Sequence, residues 1–170
     1  MTDTSALFKA THGIVTFKIE NQEYCTSLDI IDSIIKSKEL NQLAYLSGER
    51  IVYKSEKYKL IDHFRSSKER FNPKNPDERI ILVTAFSKKI ALIVDKIIEI
   101  IALDQIFVEK SLDFKPTTKI PYVSGILIFQ DQTIYFPYFE RIAKELSSDE
   151  PNSKNGYITN PNLKISRNEE

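Results

Sequence analysis

Apolar residues along this chain come in short runs that alternate with polar ones, and most of the runs are arranged in pairs around a turn. "GIVTFKIENQEYCTS" sets Ile14, Thr16 and Lys18 against Val15, Phe17 and Ile19, and Asn21-Gln22 is expected to turn it into a second strand, Glu23 to Thr26. "ERIVYKSEKYKLIDHF" repeats that logic: Ile51 and Tyr53 alternate with polar neighbours, Ser55-Glu56 is the expected turn, and Tyr58 and Leu60 lie on the returning strand. "RIILVTAF", the turn "SKK" and "KIALIV" predict a third hairpin, and "IPYVSGILIFQDQTIYFPYF" a fourth around Gln130-Asp131-Gln132. The most apolar stretch, "KKIALIVDKIIEIIALD", fits a helix by Ile90, Val94, Ile97 and Ile101, and a strand by Ile90, Leu92 and Val94. A β-branched run directly after a short polar turn, opposite another such run, selects the strand.

Helical spacing is confined to two segments. Thr26 with Asp29 three residues on predicts a capped start for "LDIIDSIIK", whose Leu28, Ile30, Ile31, Ile34 and Ile35 form an arc wider than one core-facing stripe needs. "YFERIAKEL" puts Phe139, Ile142, Ala143 and Leu146 on one stripe, with Pro137 near its start. The charged stretch 65–78, "RSSKERFNPKNPDE", reads as a loop joining two halves of the folded region. The expected organisation is an N-terminal segment 1–12, a folded domain 13–146 and a polar, flexible tail 147–170 in which Tyr157, Ile158, Leu163 and Ile165 are the residues able to dock. Many short strands in hairpins with few helices predict small β-barrels, and the length suits two of them.

Composition narrows the function. Lys plus Arg and Asp plus Glu number 24 each, so no net field draws the chain to nucleic acid or to an anionic surface. The apolar runs are far shorter than a bilayer span, and the start "MTDTSALFKATHG" lacks the basic and apolar regions of a signal peptide, so a cytoplasmic protein without membrane insertion is expected. The single cysteine, Cys25, allows no intramolecular disulfide and fits a reducing compartment. His12 and His63 have no metal-ligand spacing, and His63 is expected in a surface or capping role. Gly13, Gly48, Gly125 and Gly156 are too scattered to form a phosphate loop, and no nucleophile elbow occurs. Asp29 and Asp32 read as a solvated helix face rather than an acid/base pair, so neither catalytic residues nor a cofactor or metal site is assigned. Tyr53, Lys54, Lys57, Tyr58 and Lys59 come closest to a nucleic-acid surface, but Glu49 and Glu56 dilute them. A small oligonucleotide-binding β-barrel is kept as an alternative.

The order of these elements resembles the CheW-like domain of bacterial chemotaxis adaptor proteins, from about Gly13 to Leu146. "ALIVDKIIEII" is similar to the family's segment in which an Asp separates two aliphatic strands. "YVSGILIFQDQTIYFPYFERIAKEL" resembles its closing hairpin and helix, "EYCTSLDIIDSII" its early strand and helix, and "YKLIDHF" its strand ending in an aliphatic-Asp pair. The resemblance implies a mainly β fold of two pseudo-symmetric five-stranded SH3-like barrels with short helices. It also implies a bend at Asp95, whose carboxylate can accept backbone N–H groups freed where the ladder is interrupted.

For function, the resemblance implies a non-catalytic adaptor that holds a chemoreceptor helical bundle and the regulatory domain of a CheA-type histidine kinase. Ile31 aligns with a receptor-facing position. A kinase-facing surface is implied between about Arg79 and Asp104, where Ile97, Ile98, Ile100 and Ile101 supply more aliphatic surface than one strand face can bury, with Ile98 and Ile100 the expected contacts. The chain departs from the family's Gly-aliphatic-aliphatic-Asn-aliphatic-Arg-Gly hairpin: Glu49, Val52, Lys54 and Ser55 replace Gly, Asn, Arg and Gly. Lys59 stands for the usual Pro and Tyr138 for the usual Asp. Val52 and Lys54 are therefore the expected partner contacts that have changed, and a divergent scaffold with a different protein partner is the second reading.

Overall fold

The computed structural model describes residues 13–40, 44–66, 71–72, 74–102, 113–129 and 131–149. The segment 1–12, including His12, and the chain beyond 149, including Tyr157, Ile158, Leu163 and Ile165, lie outside the described residues.

The first hairpin is β1 (Gly13–Ile19) and β2 (Gln22–Ser27), turning at Glu20-Asn21, one residue earlier than its sequence indicates. Next, the nine residues expected as a helix fold instead as a single 3-10 turn, Leu28–Ile30, and the strand β3 (Ile31–Lys36). The reason is local and tertiary together. Ser27, rather than Thr26, caps the turn by accepting the Asp29 N–H at 3.0 Å, and four isoleucines in six residues favour extended backbone once a strand is there to pair with. After a second 3-10 turn, Ser37–Glu39, come β4 (Ala44–Ser47), β5 (Arg50–Tyr53) and β6 (Glu56–Ile61). The strands β7 (Arg79–Ala85), β8 (Lys88–Val94) and β9 (Lys96–Ala102) follow, then β10 (Asp113–Pro116), β11 (Val123–Phe129), β12 (Gln132–Pro137) and the helix α1 (Phe139–Asp149). The helix runs past 146 into the stretch read as tail.

These strands make two curled sheets, the two expected barrels, with six described strands each where five were expected. The first runs β10-β11-β12-β2-β1-β9 and the second β3-β7-β8-β6-β5-β4. The connection 65–78 therefore joins β6 to β7 inside the second sheet and does not link the halves. The chain passes between sheets at two places, the 3-10 turn after β2 and Asp95 between β8 and β9.

This topology explains the uninterrupted apolar runs. In β8, Ile90, Leu92 and Val94 enter a core shared with Val15, Phe17 and Ile19 of β1, Tyr24 of β2, and Phe139 and Ile142 of α1. Ala91 and Ile93 point the other way, into a core internal to the second sheet with Ile51, Tyr58, Leu60, Ile80 and Leu82. A strand buried on both faces has no polar side to show, so its sequence does not alternate.

Asp95 sits at the bend between the sheets. Its Oδ2 accepts the Glu20 N–H at 2.7 Å and its Oδ1 accepts from Arg65 Nη2 at 2.8 Å. Its N–H donates to the Lys18 carbonyl at 2.8 Å and its carbonyl accepts from Asn75 Nδ2 at 3.0 Å. The carboxylate thus replaces ladder bonds lost at the turn and the crossover, as its sequence position implies, and it also ties the 65–78 connection to the crossover.

Candidate partner-binding surfaces

Among the described residues, the strand β9 lies at one edge of the first sheet, paired with β1. The register runs Ile14↔Ile101, Val15↔Ile100, Thr16↔Glu99, then Phe17↔Ile97, so Ile98 is the extra residue of a bulge. Residues directly opposite share a face. Ile101 therefore points with Ile14 and is buried, whereas Ile100 points with Val15, towards the side that packs on the second sheet, yet keeps 59% exposure. Ile97 packs against the shared core and Ile98 is 39% exposed. Of the four isoleucines that exceeded one face, two are thus absorbed by the fold and two are left at the surface. Burial, and then the charge of Glu99 beside them, raises the Glu23 carboxyl from its ordinary value.

Ile31 is the first residue of β3, paired with Val83, and is half-buried against the shared core with Leu28 and Ile30. The breadth of apolar residues in this segment, read as a helical arc, is a strand rim closing that core. Ile31 shows only part of its side chain to a partner.

The hairpin β5–β6 turns at Lys54-Ser55, one residue before the sequence expectation, with φ of 51° and 68° at the two positions. Both residues are in the left-handed region, as a two-residue hairpin turn of this hand requires, although neither is glycine. Lys54 Nζ lies 5.3 Å from the centre of the Tyr53 ring. The Tyr53 hydroxyl titrates below its ordinary range, chiefly because Ser33 Oγ donates to it at 3.4 Å and secondarily because Lys54 is close. Val52 is only 7% exposed, so this expected contact is a packed residue rather than a presented one. Its cross-strand neighbour Tyr45 is 53% exposed. Tyr45 and Leu46 belong to β4, a strand absent from the sequence reading, although "AYLSGE" carries alternation and a Gly48 whose φ of 62° turns the chain into β5.

Phe86 was missed as well. It is 62% exposed in the β7–β8 turn, with a φ of 51°. Because β6 and β8 are parallel, with Lys59 beside Ile90, the turns at Lys54-Ser55 and Phe86-Ser87 stand at the same end of the second sheet. The five expected contacts thus fall in three places: Ile98 and Ile100 on β9, Val52 and Lys54 on the β5–β6 hairpin, and Ile31 at the start of β3.

The aromatics and lysines of the β5–β6 hairpin do not form a stacking surface for bases. Tyr58 is buried, and burial, together with its donation to Asp32 Oδ2 at 2.9 Å, holds its hydroxyl far above its ordinary range. Lys59 pairs with Glu49 and Lys89 with Glu56. Asp32 also accepts from Thr84 Oγ1, so it is a bonded strand residue, not half of an acid/base pair with Asp29. His63, expected in a surface or capping role, is half-buried, its ring 4.4 Å from that of Tyr122. No group of three or more His, Cys, Asp or Glu among the described residues could hold a metal, and no helix among them is long and apolar enough to cross a membrane.

Comparison with known proteins agrees with this geometry. The sequence model of the CheW-like domain matches residues 13–147. Among solved structures, the scaffolding protein TtCheW from Thermoanaerobacter tengcongensis is similar at a TM-score of 0.54 and 19% identity, covering 75% of this chain and 88% of that one. No curated protein matches the sequence. A match across nearly the whole described region, on a fold of two curled sheets joined at a bend-forming Asp95, leads to one conclusion: the chain belongs to the CheW-like domain family.

Proposed function

We propose that this protein is a non-catalytic cytoplasmic adaptor that couples a chemoreceptor helical bundle to a CheA-type histidine kinase. Its membership of a family of chemotaxis-type coupling adaptors supports the class. The observation that carries the reading further is β9: in a fold that buries most of its aliphatic residues in its cores, Ile98 and Ile100 remain on an edge strand. Exposed aliphatic residues on an edge are a hazard in isolation and are accounted for when a partner covers them. The kinase regulatory domain is assigned to this edge, and the receptor to the second sheet, at Ile31 on β3 and at the Lys54 hairpin.

Binding of a CheA-type kinase regulatory domain to the wild type and to Ile100→Asp tests the assignment. Ile100 is more than half exposed, so the variant keeps its fold, and the account expects affinity to fall at least tenfold, about 1.4 kcal/mol. Unchanged affinity removes β9 from the kinase contact.

The altered hairpin favours a divergent receptor contact. A lysine keeps the charge of the family's arginine but lacks its planar fork of donors. Lys54→Arg is expected to strengthen binding to a generic receptor tip by about 1.5–3 kcal/mol, the range for a hydrogen bond to a charged group, and Lys54→Ala to change it little. Binding that collapses in Lys54→Ala shows instead that the lysine already makes the contact.

A further inference from the structure

A cluster of polar side chains outside these surfaces holds α1 across the molecule. His63 follows the end of β6 in the second sheet, Tyr122 precedes β11 in the first, and Glu145 and Arg141 lie on α1. Tyr122 Oη donates to Glu145 Oε1 at 2.9 Å, and the Arg141 guanidinium lies 4.7 Å over the Tyr122 ring while its Nε donates to Glu145 at 3.3 Å. The backbone of Tyr122 is in the left-handed region, at φ 60°, an uncommon conformation for a bulky residue that surrounding contacts must hold. Below the cluster, Phe139 and Ile142 of α1 cover the core shared by the two sheets.

His63 is the least satisfied member. Its Nε2 is 3.8 Å from Glu145 Oε1, beyond a good hydrogen bond, and its Nδ1 is buried without a partner. A neutral imidazole tolerates this arrangement, since one ring nitrogen needs no donor role. An imidazolium does not: both nitrogens then carry protons, and the buried Nδ1–H has nothing to donate to.

We propose that His63 is an acid-sensitive latch for α1: protonation of its half-buried ring favours the undocked helix, loosening the cover over the core that joins the two sheets. Four neighbours set the balance. Glu145 from α1 and Asp62 beside His63 favour the charged ring, Arg141 of α1 is engaged by Glu145 and the Tyr122 ring, and Tyr122 is neutral. Burial outweighs the carboxylates and lowers the His63 pKa from its ordinary 6.5. The unfolded or undocked chain therefore binds the proton more readily. The latch is intact above about pH 6.5 and weakens as pH falls from there through the folded-state value.

Amide hydrogen exchange of the full chain between pH 7.5 and 5.5, corrected for intrinsic rates, reads the latch directly, together with an NMR titration of the His63 ring. The expected result is a loss of protection in α1 on acidification that exceeds the loss in β7 and β8, and that His63→Gln abolishes. Equal loss in wild type and His63→Gln overturns the proposal, and so does a gain of protection at low pH, which would mean that His63⁺ pairs with Glu145 and tightens the helix. If His63→Gln does not fold, the titration of the wild type decides alone: a His63 pKa above 6.5 contradicts the latch. None of these outcomes depends on which partners the adaptor binds.

Discussion

Asp95 shows how much a single position carries when a chain crosses between two sheets. Its carboxylate serves the Glu20 N–H at the β1–β2 turn and Arg65 Nη2 from the β6–β7 connection, and Arg65 also donates to the Ile93 carbonyl at 3.1 Å. Asp95→Ala removes an acceptor from a backbone donor and a counter-ion from a guanidinium whose side chain is only 12% exposed. Hydrogen bonds to charged groups are worth about 1.5–3 kcal/mol, so urea denaturation should show a loss of about 2–4 kcal/mol for Asp95→Ala and a smaller loss for Asp95→Asn, which keeps an acceptor. A loss under 0.5 kcal/mol, the scale of an ordinary surface substitution, refutes the role. The interruption of an aliphatic run marks Asp95 in the sequence. Its partners are not marked there, since they lie 75 and 30 residues away and meet it only through the fold. The left-handed turn residues are a second case. Ser55 holds a φ of 68° where a glycine would carry no Cβ penalty, and Ser55→Gly is expected to raise stability by about 1 kcal/mol. A fall in melting temperature would mean that the Ser55 side chain has a compensating role.

At the scale of elements, β9 separates packing from presentation within one strand. Ile97 packs on the shared core and Ile100 is largely open to solvent. Ile97→Ser should therefore destabilise the fold by at least 1 kcal/mol, within the range for deleting buried methyl groups, whereas Ile100→Ser should stay within about 0.5 kcal/mol of the wild type. Chemical denaturation of the two variants checks the contrast, and equal losses would mean that Ile100 is covered by the protein itself. The excess of aliphatic surface was legible in the sequence, but the division was not, because it depends on the bulge at Ile98. The segment 28–36 shows the opposite failure. Its isoleucines fit helical spacing, and a cap residue precedes them, yet Ile31–Lys36 pairs with β7, from Arg79 to Val83. Pairing with a strand more than 40 residues away overrides a local pattern that is ambiguous between the two periods. β4 escaped because four residues give too short an alternation to register, although Gly48 marks its end.

At the scale of the molecule, the barrel fold and its family were legible because hairpin order survives changes at single positions, while the route of the chain was not. A polar, proline-containing stretch looks like a boundary wherever it falls, and 65–78 is a connection within one sheet. The true passages are a three-residue turn and one aspartate, features too small to announce themselves. That route places the exposed isoleucines of β9 on the first sheet and the Lys54 hairpin on the second, two separate surfaces on a body held together by a shared core. An adaptor needs that property: it must occupy both partners at once. The most direct test is light scattering on the protein mixed with both a CheA-type kinase regulatory domain and a chemoreceptor tip fragment, each also measured alone with it. The account predicts a complex whose mass contains all three components. Two binary complexes that displace each other, or no binding to either fragment, would contradict it.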